Sequence, residues 1–291
     1  MFKKYYQFAH ILIEIRMPDR LPVPEHMQLF ETEACEEEKI QRIYELSVVE
    51  DPMTGAEEFS IRYPNARQIF RRNMQILRTP VKECRILRME ETQPPYAVYT
   101  EEDPRLVRVR IRKDIPELLK LDTVFCSLLG LEKVMLERDA LILHAAYLCR
   151  EDKAILFSAP SRTGKSTQAA LWEKYRGAVQ VNGDRALLVG EEDGWYAYGW
   201  PVCGSSKICK SEAYPIQAIV MLYQSETNQI RRLNRAEAVK KILSQTTINM
   251  WNGAFQMQVL DLLEGLAEKV QVYELGCNQT EDAVACLEKE L

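Results

Sequence analysis

The sequence predicts an α/β protein in two main parts, a mostly β N-terminal domain and a mixed α/β domain. Short apolar runs separated by proline and other turn residues dominate residues 1–113. After a helical stretch, short buried strands alternate with helical patterns over residues 140–291, as is typical of α/β domains. The chain has 291 residues, of which 46% are hydrophobic, so it is long and apolar enough to build both cores.

Composition and charge exclude several classes of protein. A net charge of −5 argues against bulk binding to nucleic acid or to a membrane surface, and no apolar stretch approaches transmembrane length. The first residues are basic, as in a signal peptide, but His10, Glu14 and Arg16 interrupt the apolar part that follows. We therefore expect a cytoplasmic protein that binds neither nucleic acid nor membrane.

The eight cysteines and three histidines raise the question of a metal or disulfide site. The sequence contains no Cys-x-x-Cys pair, and the closest spacings are Cys203 to Cys209 and Cys277 to Cys286. Reduced, buried thiols in a reducing compartment explain this pattern better than a zinc site does.

Alternation of apolar and polar residues places the strands of the N-terminal domain, which covers residues 1–113. The predicted strands are Tyr5–Ile15, Ile43–Val49, Ala66–Phe70, Cys84–Met89, Tyr96–Tyr99 and Leu106–Arg112. Charge is segregated along this domain, since residues 25–58 are strongly acidic and residues 62–113 are rich in arginine. In the last strand, Arg108, Arg110 and Arg112 alternate with apolar residues, which predicts a basic outer face. That face is either solvated or docks an acidic segment of a substrate.

A helical connector is predicted over residues 114–139. Its first helix spans Ile115–Leu129, with Asp114 as the N-cap and Pro116 in the first turn. A second helix, Leu131–Arg138, follows Gly130.

The second domain, residues 140–291, begins with a predicted hairpin. A strand over residues 141–149 turns at residues 150–153 and returns as a short buried strand that ends at Ser158. The other predicted strands are Val179–Val181, Arg185–Val189, Trp195–Tyr198, Ala218–Tyr223 and Val270–Leu275, and the predicted helices are Thr167–Tyr175, Arg235–Ser244, Ala254–Lys269 and Glu281–Glu290.

The segment between this hairpin and the first of these helices carries the strongest motif. Residues 159–167 read Ala-Pro-Ser-Arg-Thr-Gly-Lys-Ser-Thr, which fits the phosphate-loop pattern G-x-x-x-x-G-K-[ST] except at Ala159. In such a loop, backbone N–H groups and the helix N-terminus converge on a polyphosphate. We expect Lys165 to reach the outer phosphates and the Ser166 hydroxyl to bind Mg²⁺. The sequence therefore predicts ATP and Mg²⁺ as cofactors, with the nucleotide bound by Ser161, Arg162, Thr163, Gly164, Lys165, Ser166 and Thr167.

The order of three segments resembles a known family. Leu143-His144-Ala145, the phosphate loop and Asn182-Gly183-Asp184-Arg185 together resemble the catalytic domain of HPr kinase/phosphorylase, whose fold is shared with ATP-dependent phosphoenolpyruvate carboxykinase. The resemblance covers roughly the second half of the chain and is strongest to the branch that contains peptide-precursor kinases. It implies that Asp184 binds metal and activates the acceptor, and that His144 lies against this carboxylate. The implied catalytic residues are Asp184, His144 and Lys165, and the implied metal ligands are Ser166 and Asp184.

Some features depart from the family pattern. Gly183 replaces the first of two adjacent acidic residues, and Arg162 stands where relatives usually carry glycine. The later signature segment of true HPr kinases is not recognisable. From the residues alone, His144 also fits a buried core histidine. Likewise, Asp184 fits a plain turn residue, because Asn182-Gly183 is a type I′ hairpin signal.

The resemblance implies an ATP-dependent kinase that phosphorylates a hydroxyl, most plausibly of serine, on a small protein or peptide such as a ribosomally made peptide precursor. The alternative is an ATP-sensing adaptor that binds a peptide without transfer, which the missing acidic residue at Gly183 and the arginine at position 162 favour. The segment 199–207 fits either an ordinary turn or a loop that binds the acceptor, because its glycines and serines allow close backbone approach.

Overall fold

A computed structural model describes residues 2–34 and 36–291, and the chain in it divides into two units, Met1–Val134 and Met135–Leu291. No helix in the described ranges is long and apolar enough to cross a membrane. Seven cysteines are described and all are free thiols, whereas Cys35 lies outside the described residues.

The first unit is built on one nine-stranded sheet. Its strands are β1 Phe2–Phe8, β2 Ile11–Met17, β3 Glu31–Thr32, β4 Arg42–Val49, β5 Arg67–Arg71, β6 Met74–Arg78, β7 Glu83–Leu87, β8 Ala97–Glu101 and β9 Leu106–Arg112. Its helices are α1 Glu25–Gln28, α2 Met53–Arg62, α3 Asp122–Leu129 and α4 Leu131–Leu136, the last of which runs across the boundary between the units.

In space, the strands follow the order β3-β1-β2-β4-β9-β8-β7-β6-β5. The β2–β4 and β4–β9 pairs are parallel, and the remaining pairs are antiparallel. Helix α2 covers one part of the sheet because Ala56 and Phe59 pack on Leu77, Ile86 and Val98. Strand β5 forms one end of the sheet and pairs only with β6 among the described strands.

Two predicted elements of this unit are wrong in detail. The single strand Tyr5–Ile15 is a hairpin of β1 and β2, with Ala9 in the left-handed region at φ 53°. The turn residues Ala9 and His10 are not typical of turns, and β2 is buried on both faces, so the apolar pattern runs on without a visible break. The helix Ile115–Leu129 is a 3₁₀ turn, Pro116–Lys120, followed by α3, because Leu121 is extended between them.

The second unit has a mixed sheet with helices on both faces, so the chain is α/β with two sheets. Its strands are β10 Ala140–Arg150, β11 Lys153–Ser158, β12 Val179–Asn182, β13 Arg185–Glu191, β14 Gly194–Tyr198, β15 Ala213–Gln224, β16 Gln229–Arg232 and β17 Gln271–Cys277. Its helices are α5 Lys165–Arg176, α6 Arg235–Leu243, α7 Gly253–Lys269 and α8 Glu281–Glu288.

Two apolar cores hold the layers of this unit together. Trp172 of α5 and Leu287 of α8 pack with Phe157 and Val220 on one face of the sheet. Ile242 of α6 and Leu263 of α7 contribute to the core on the other face. Strands β11, β15 and β17 run parallel, so their carboxyl ends meet at one edge of the sheet.

The chain around β10 decides where the motif residues lie. The predicted hairpin of β10 and β11 is present and turns at Glu151 and Asp152, both in the left-handed region as a type I′ turn requires. The other hairpin interpretation, at Asn182-Gly183, is wrong: in the described part of the chain β12 and β13 each pair with β10 and not with one another. β12 and β13 therefore lie one after the other along β10, and Gly183 and Asp184 form the break between them. A break of this kind changes the direction in which a side chain such as that of Asp184 points.

Candidate active site

A cavity of about 880 Å³ lies at the edge of the second unit where the parallel strands end. Every predicted site residue lines it, although these residues come from distant parts of the chain. The lining residues are His144, Ser161, Arg162, Thr163, Gly164, Lys165, Ser166, Thr167, Gln168, Gly183, Asp184, Ser205, Ser206, Gln224, Ser225, Glu226, Cys277, Asn278 and Gln279. The geometry brings the predicted residues together, while their chemical roles remain a prediction.

The loop before α5 wraps around the start of that helix. Gly164 has φ 117° and Arg162 has φ 66°, both in the left-handed region. Glycine adopts this conformation freely, whereas Arg162 is a non-glycine residue held in it. Ala159, the one mismatch to the motif, is buried in the core beside Phe157, where its methyl group is accommodated. The first backbone N–H groups of α5, a helix of twelve residues, are left without partners within the helix.

Lys165 is buried at the floor of this loop. Its side chain is 8% exposed, and Nζ donates to the carbonyl oxygens of Ala159 at 2.9 Å and Pro160 at 3.5 Å. Burial lowers the pKa of the Lys165 ammonium, while the nearby Asp184 carboxylate acts in the opposite direction. The chain thus holds a poorly hydrated cationic group at the cavity, compensated mainly by neutral carbonyls.

Asp184 faces two basic groups. Oδ1 lies 3.3 Å from Nε2 of His144, and Oδ2 lies 3.5 Å from Nε of Arg185. Burial raises the pKa of Asp184, but the hydrogen bond and charge of His144, with the charges of Arg185 and Lys165, outweigh it and lower the pKa below its ordinary value. The carboxylate is therefore ionised at neutral pH.

Asn182, a residue that the sequence presented only as a turn signal, fixes the backbone that carries Asp184. Its side chain is fully buried; Oδ1 accepts hydrogen bonds from the backbone N–H of Asp184 at 2.8 Å and of Arg185 at 2.9 Å. Its Nδ2 donates to the carbonyl of Trp200 at 2.6 Å. Because its buried side chain makes all three bonds, Asn182 is a positioning residue for the carboxylate.

His144 is held from two sides in a partly exposed position. Its Nδ1 lies 3.3 Å from Oε1 of Gln245, and its backbone N–H donates to the Gln245 carbonyl at 2.9 Å. The Ser158 hydroxyl donates to the His144 carbonyl at 2.8 Å. With Nδ1 occupied by Gln245, Nε2 is directed at Asp184, so His144 is not a core histidine enclosed by apolar side chains.

The segment after β14 packs directly on the Asp184 backbone. A Cβ placed on Gly183 would lie 1.9 Å from Oγ of Ser206, and a Cβ on Gly204 would lie 3.1 Å from Cβ of Asp184. Gly204 also has φ 62°, which favours glycine. Glycines at both positions therefore allow Ser205 and Ser206 to reach the cavity, and Ser206 occupies the space that a side chain at position 183 would need.

Oxygen donors of the kind that Mg²⁺ prefers are present in the same cavity. The exposed Ser166 hydroxyl at the start of α5 and the Asp184 carboxylate both line it, and Glu226 adds a second carboxylate. The donor set fits a hard divalent cation and offers no cluster of sulfur and imidazole ligands of the kind typical of zinc.

The far side of the cavity was not predicted. Gln168 is 2% exposed; its Nε2 donates to the Asn278 carbonyl at 2.8 Å, and its Oε1 has no hydrogen-bond partner in the described part of the protein. Gln224, Glu226 and Asn278 complete this side. The last three lie at or after the ends of predicted strands, so the rule that parallel strands place their carboxyl ends together would have found them.

Comparison with known proteins gives a family match. The family model described as "SynChlorMet cassette protein ScmC" matches residues 109–281, more than half of the chain. A solved structure, titled as the HPr(Ser) kinase/phosphatase from Coxiella burnetii, is 12% identical and covers 51% of this chain and 95% of its own, with a TM-score of 0.31. No curated protein matches the chain.

Proposed function

The chain belongs to the ScmC family of SynChlorMet cassette proteins, and we propose that it is an ATP-dependent kinase that transfers a phosphoryl group to a hydroxyl of a small protein or peptide. The single observation that carries the proposal is the convergence of Lys165, Ser166, Asp184 and His144 on one cavity at the start of α5. Phosphoryl transfer requires mainly position and charge from a protein, and this cavity offers both.

The loop side of the cavity binds the phosphates in this proposal. Unpartnered N–H groups at the start of α5 donate to phosphate oxygens, and Lys165 turns from the Ala159 carbonyl towards the outer phosphates. Ser166 and Asp184 are the residues that would hold Mg²⁺, and the ion supplies neutralisation of phosphate charge when bound.

The acceptor side lies at Asp184 and the segment with Ser205 and Ser206. The hydroxyl oxygen of the acceptor attacks the terminal phosphorus of ATP, the bond from that phosphorus to the bridging oxygen breaks, and ADP leaves. Asp184 accepts the hydroxyl proton, and His144, which donates a hydrogen bond to that carboxylate across the 3.3 Å contact, holds it in place. A carboxylate with a lowered pKa is adequate because the loose transition state needs little base strength.

A peptide-binding adaptor without transfer activity is the second candidate. One observation favours it: residue 183 is glycine and so carries no carboxylate, and Ser206 occupies the space that a side chain there would need. An adaptor would bind ATP through the same loop but leave it intact.

Replacing Lys165 tests the proposal. Lys165→Ala should weaken MgATP binding in calorimetry and slow transfer to serine peptides by about 10² to 10³, because a preorganised charge at the transition state is lost. Lys174→Ala is the matched control, since Lys174 is an exposed lysine of the same helix. Unchanged ATP affinity in Lys165→Ala would refute nucleotide binding at this loop. Lys165-dependent ATP binding with no transfer to any serine peptide would instead identify the adaptor.

A further inference from the structure

Strand β5 at the end of the nine-stranded sheet has an exposed edge. It pairs with β6 through the register Arg67 with Arg78 to Arg71 with Met74, and no other described strand pairs with it. Phe70 is 70% exposed and Gln68 is also exposed. An edge of this kind presents unpaired backbone donors and acceptors, which proteins normally block or use.

The hydrogen bonding of the neighbouring strands tells which backbone groups point outward. Thr79 donates to the Lys82 carbonyl and Arg88 donates to the Asn73 carbonyl, so residues 73 and 79 of this segment face β7. The alternate residues 74, 76 and 78 therefore face β5 and form the bonded pairs with 71, 69 and 67. Gln68 and Phe70 are left with N–H and C=O groups directed away from the sheet.

Positive charge is concentrated in the segment that contains this edge. Residues 59–82 contain six arginines and lysines and no aspartate or glutamate, in a chain whose net charge is −5. Arg67 and Arg72 are exposed, and no carboxylate in the described ranges pairs with either. Because side chains alternate along a strand, Arg67, Ile69 and Arg71 share one face of β5, and Ile69 between the two arginines is half-buried.

The arginines of β9, in contrast, are already paired with carboxylates. Arg110 lies 2.6 Å from Glu58, Arg112 lies 2.5 Å from Asp114, and Arg108 lies 3.4 Å from Glu45. Each guanidinium already has a carboxylate of its own unit, whereas Arg67 of β5 and Arg72 of the turn after it have none in the described ranges.

We propose that the β5 edge binds an acidic, extended peptide segment by strand addition. Gln68 and Phe70 supply the backbone hydrogen bonds, while a carboxylate of the added strand meets Arg67 and an apolar residue two positions along lies over Ile69. The inference concerns binding alone and needs no nucleotide, so it stands or falls separately from the proposed phosphoryl transfer.

The probe is a fluorescein-labelled, end-capped peptide, Thr-Glu-Thr-Val-Thr-Glu-Thr, and a matched peptide with lysine for glutamate. Fluorescence anisotropy with the full chain and without ATP should show binding of the glutamate peptide only, weakened by added salt. Phe70→Pro removes one outward N–H, as an edge strand tolerates, and should weaken binding about tenfold, whereas Phe70→Val should retain it. Arg67→Gln should also weaken binding, and Arg20→Gln, an exposed arginine outside this edge, should not.

Several results would overturn the proposal. They are no binding of the glutamate peptide to the unaltered chain at millimolar concentration, equal affinity of the Pro and Val variants, or equal affinity for the lysine peptide. Stronger binding of poly(dT) that is insensitive to Phe70→Pro would show a nucleic-acid surface instead. Circular dichroism of each variant confirms that the fold is retained.

Discussion

At the residue scale, the ionisation of Asp184 makes the stability of the folded protein depend on pH. Its folded pKa lies below the ordinary value of 3.8 because basic neighbours outweigh burial. The ionised carboxylate therefore contributes stability that is present above that ordinary value and lost as the pH falls through the lower folded pKa. Asp184→Asn should remove this contribution, so the stability difference between the two proteins should shrink below about pH 4.

Thermal melts of both proteins from neutral to acid pH measure that difference. The same variant should lose phosphoryl transfer at neutral pH while remaining folded, since asparagine cannot accept the hydroxyl proton. Full transfer activity in folded Asp184→Asn would show that the Asp184 carboxylate has no role in phosphoryl transfer.

Sequence predicted the motif residues because the phosphate loop is local in the chain. Positioning residues were invisible for the opposite reason. Gln245, which orients His144, is 101 positions away from it, and no short pattern encodes that contact. Asn182 was recognised as a turn residue, but the bonds of its side chain to Asp184, Arg185 and Trp200 depend on how β12 and β13 meet β10.

At the element scale, the segment that follows β14 packs closely on Gly183 through Ser206, and this contact can be tested by mutation. Gly183→Ala would place a methyl group 1.9 Å from Oγ of Ser206, so that the segment must shift. We expect a loss of about 1 to 3 kcal/mol in the free energy of unfolding and slower transfer, as overpacking commonly causes.

Ser206→Gly in the same protein should recover part of the loss, because it removes the atoms that collide. Urea unfolding of the two single variants and the double variant gives the coupling energy. Strictly additive effects would mean that Gly183 and Ser206 do not contact each other.

Elements were predicted well where turn chemistry is explicit and poorly where it is not. The β10–β11 hairpin is marked by a polar turn, and β9 matches its predicted range, Leu106–Arg112. Helix α2 and strand β6 were missed, since α2 buries only a narrow face around Phe59 and β6 follows β5 after a turn of two residues. Both depend on contacts with the sheet more than on their own pattern.

At the scale of the whole molecule, charge segregation in the sequence did not reveal which arginines are available. The partners of Arg108 and Arg110 are 63 and 52 positions away, so only the fold shows that these charges are neutralised. Likewise, an α/β chain with two sheets was predictable, but the position of β5 at a sheet edge follows from the strand order.

Hydrogen exchange separates the two proposals within one protein. MgATP should slow exchange of the backbone amides in residues 161–166, and Lys165→Ala should abolish that effect. The acidic peptide should slow exchange of the Gln68 and Phe70 amides, which face outward and lack partners in β6. In Phe70→Pro the protection of Gln68 should fall, whereas protection of the loop by MgATP should persist. If the peptide instead protects residues 161–166 and leaves Gln68 unchanged, its binding site is the cavity and strand addition at β5 is wrong.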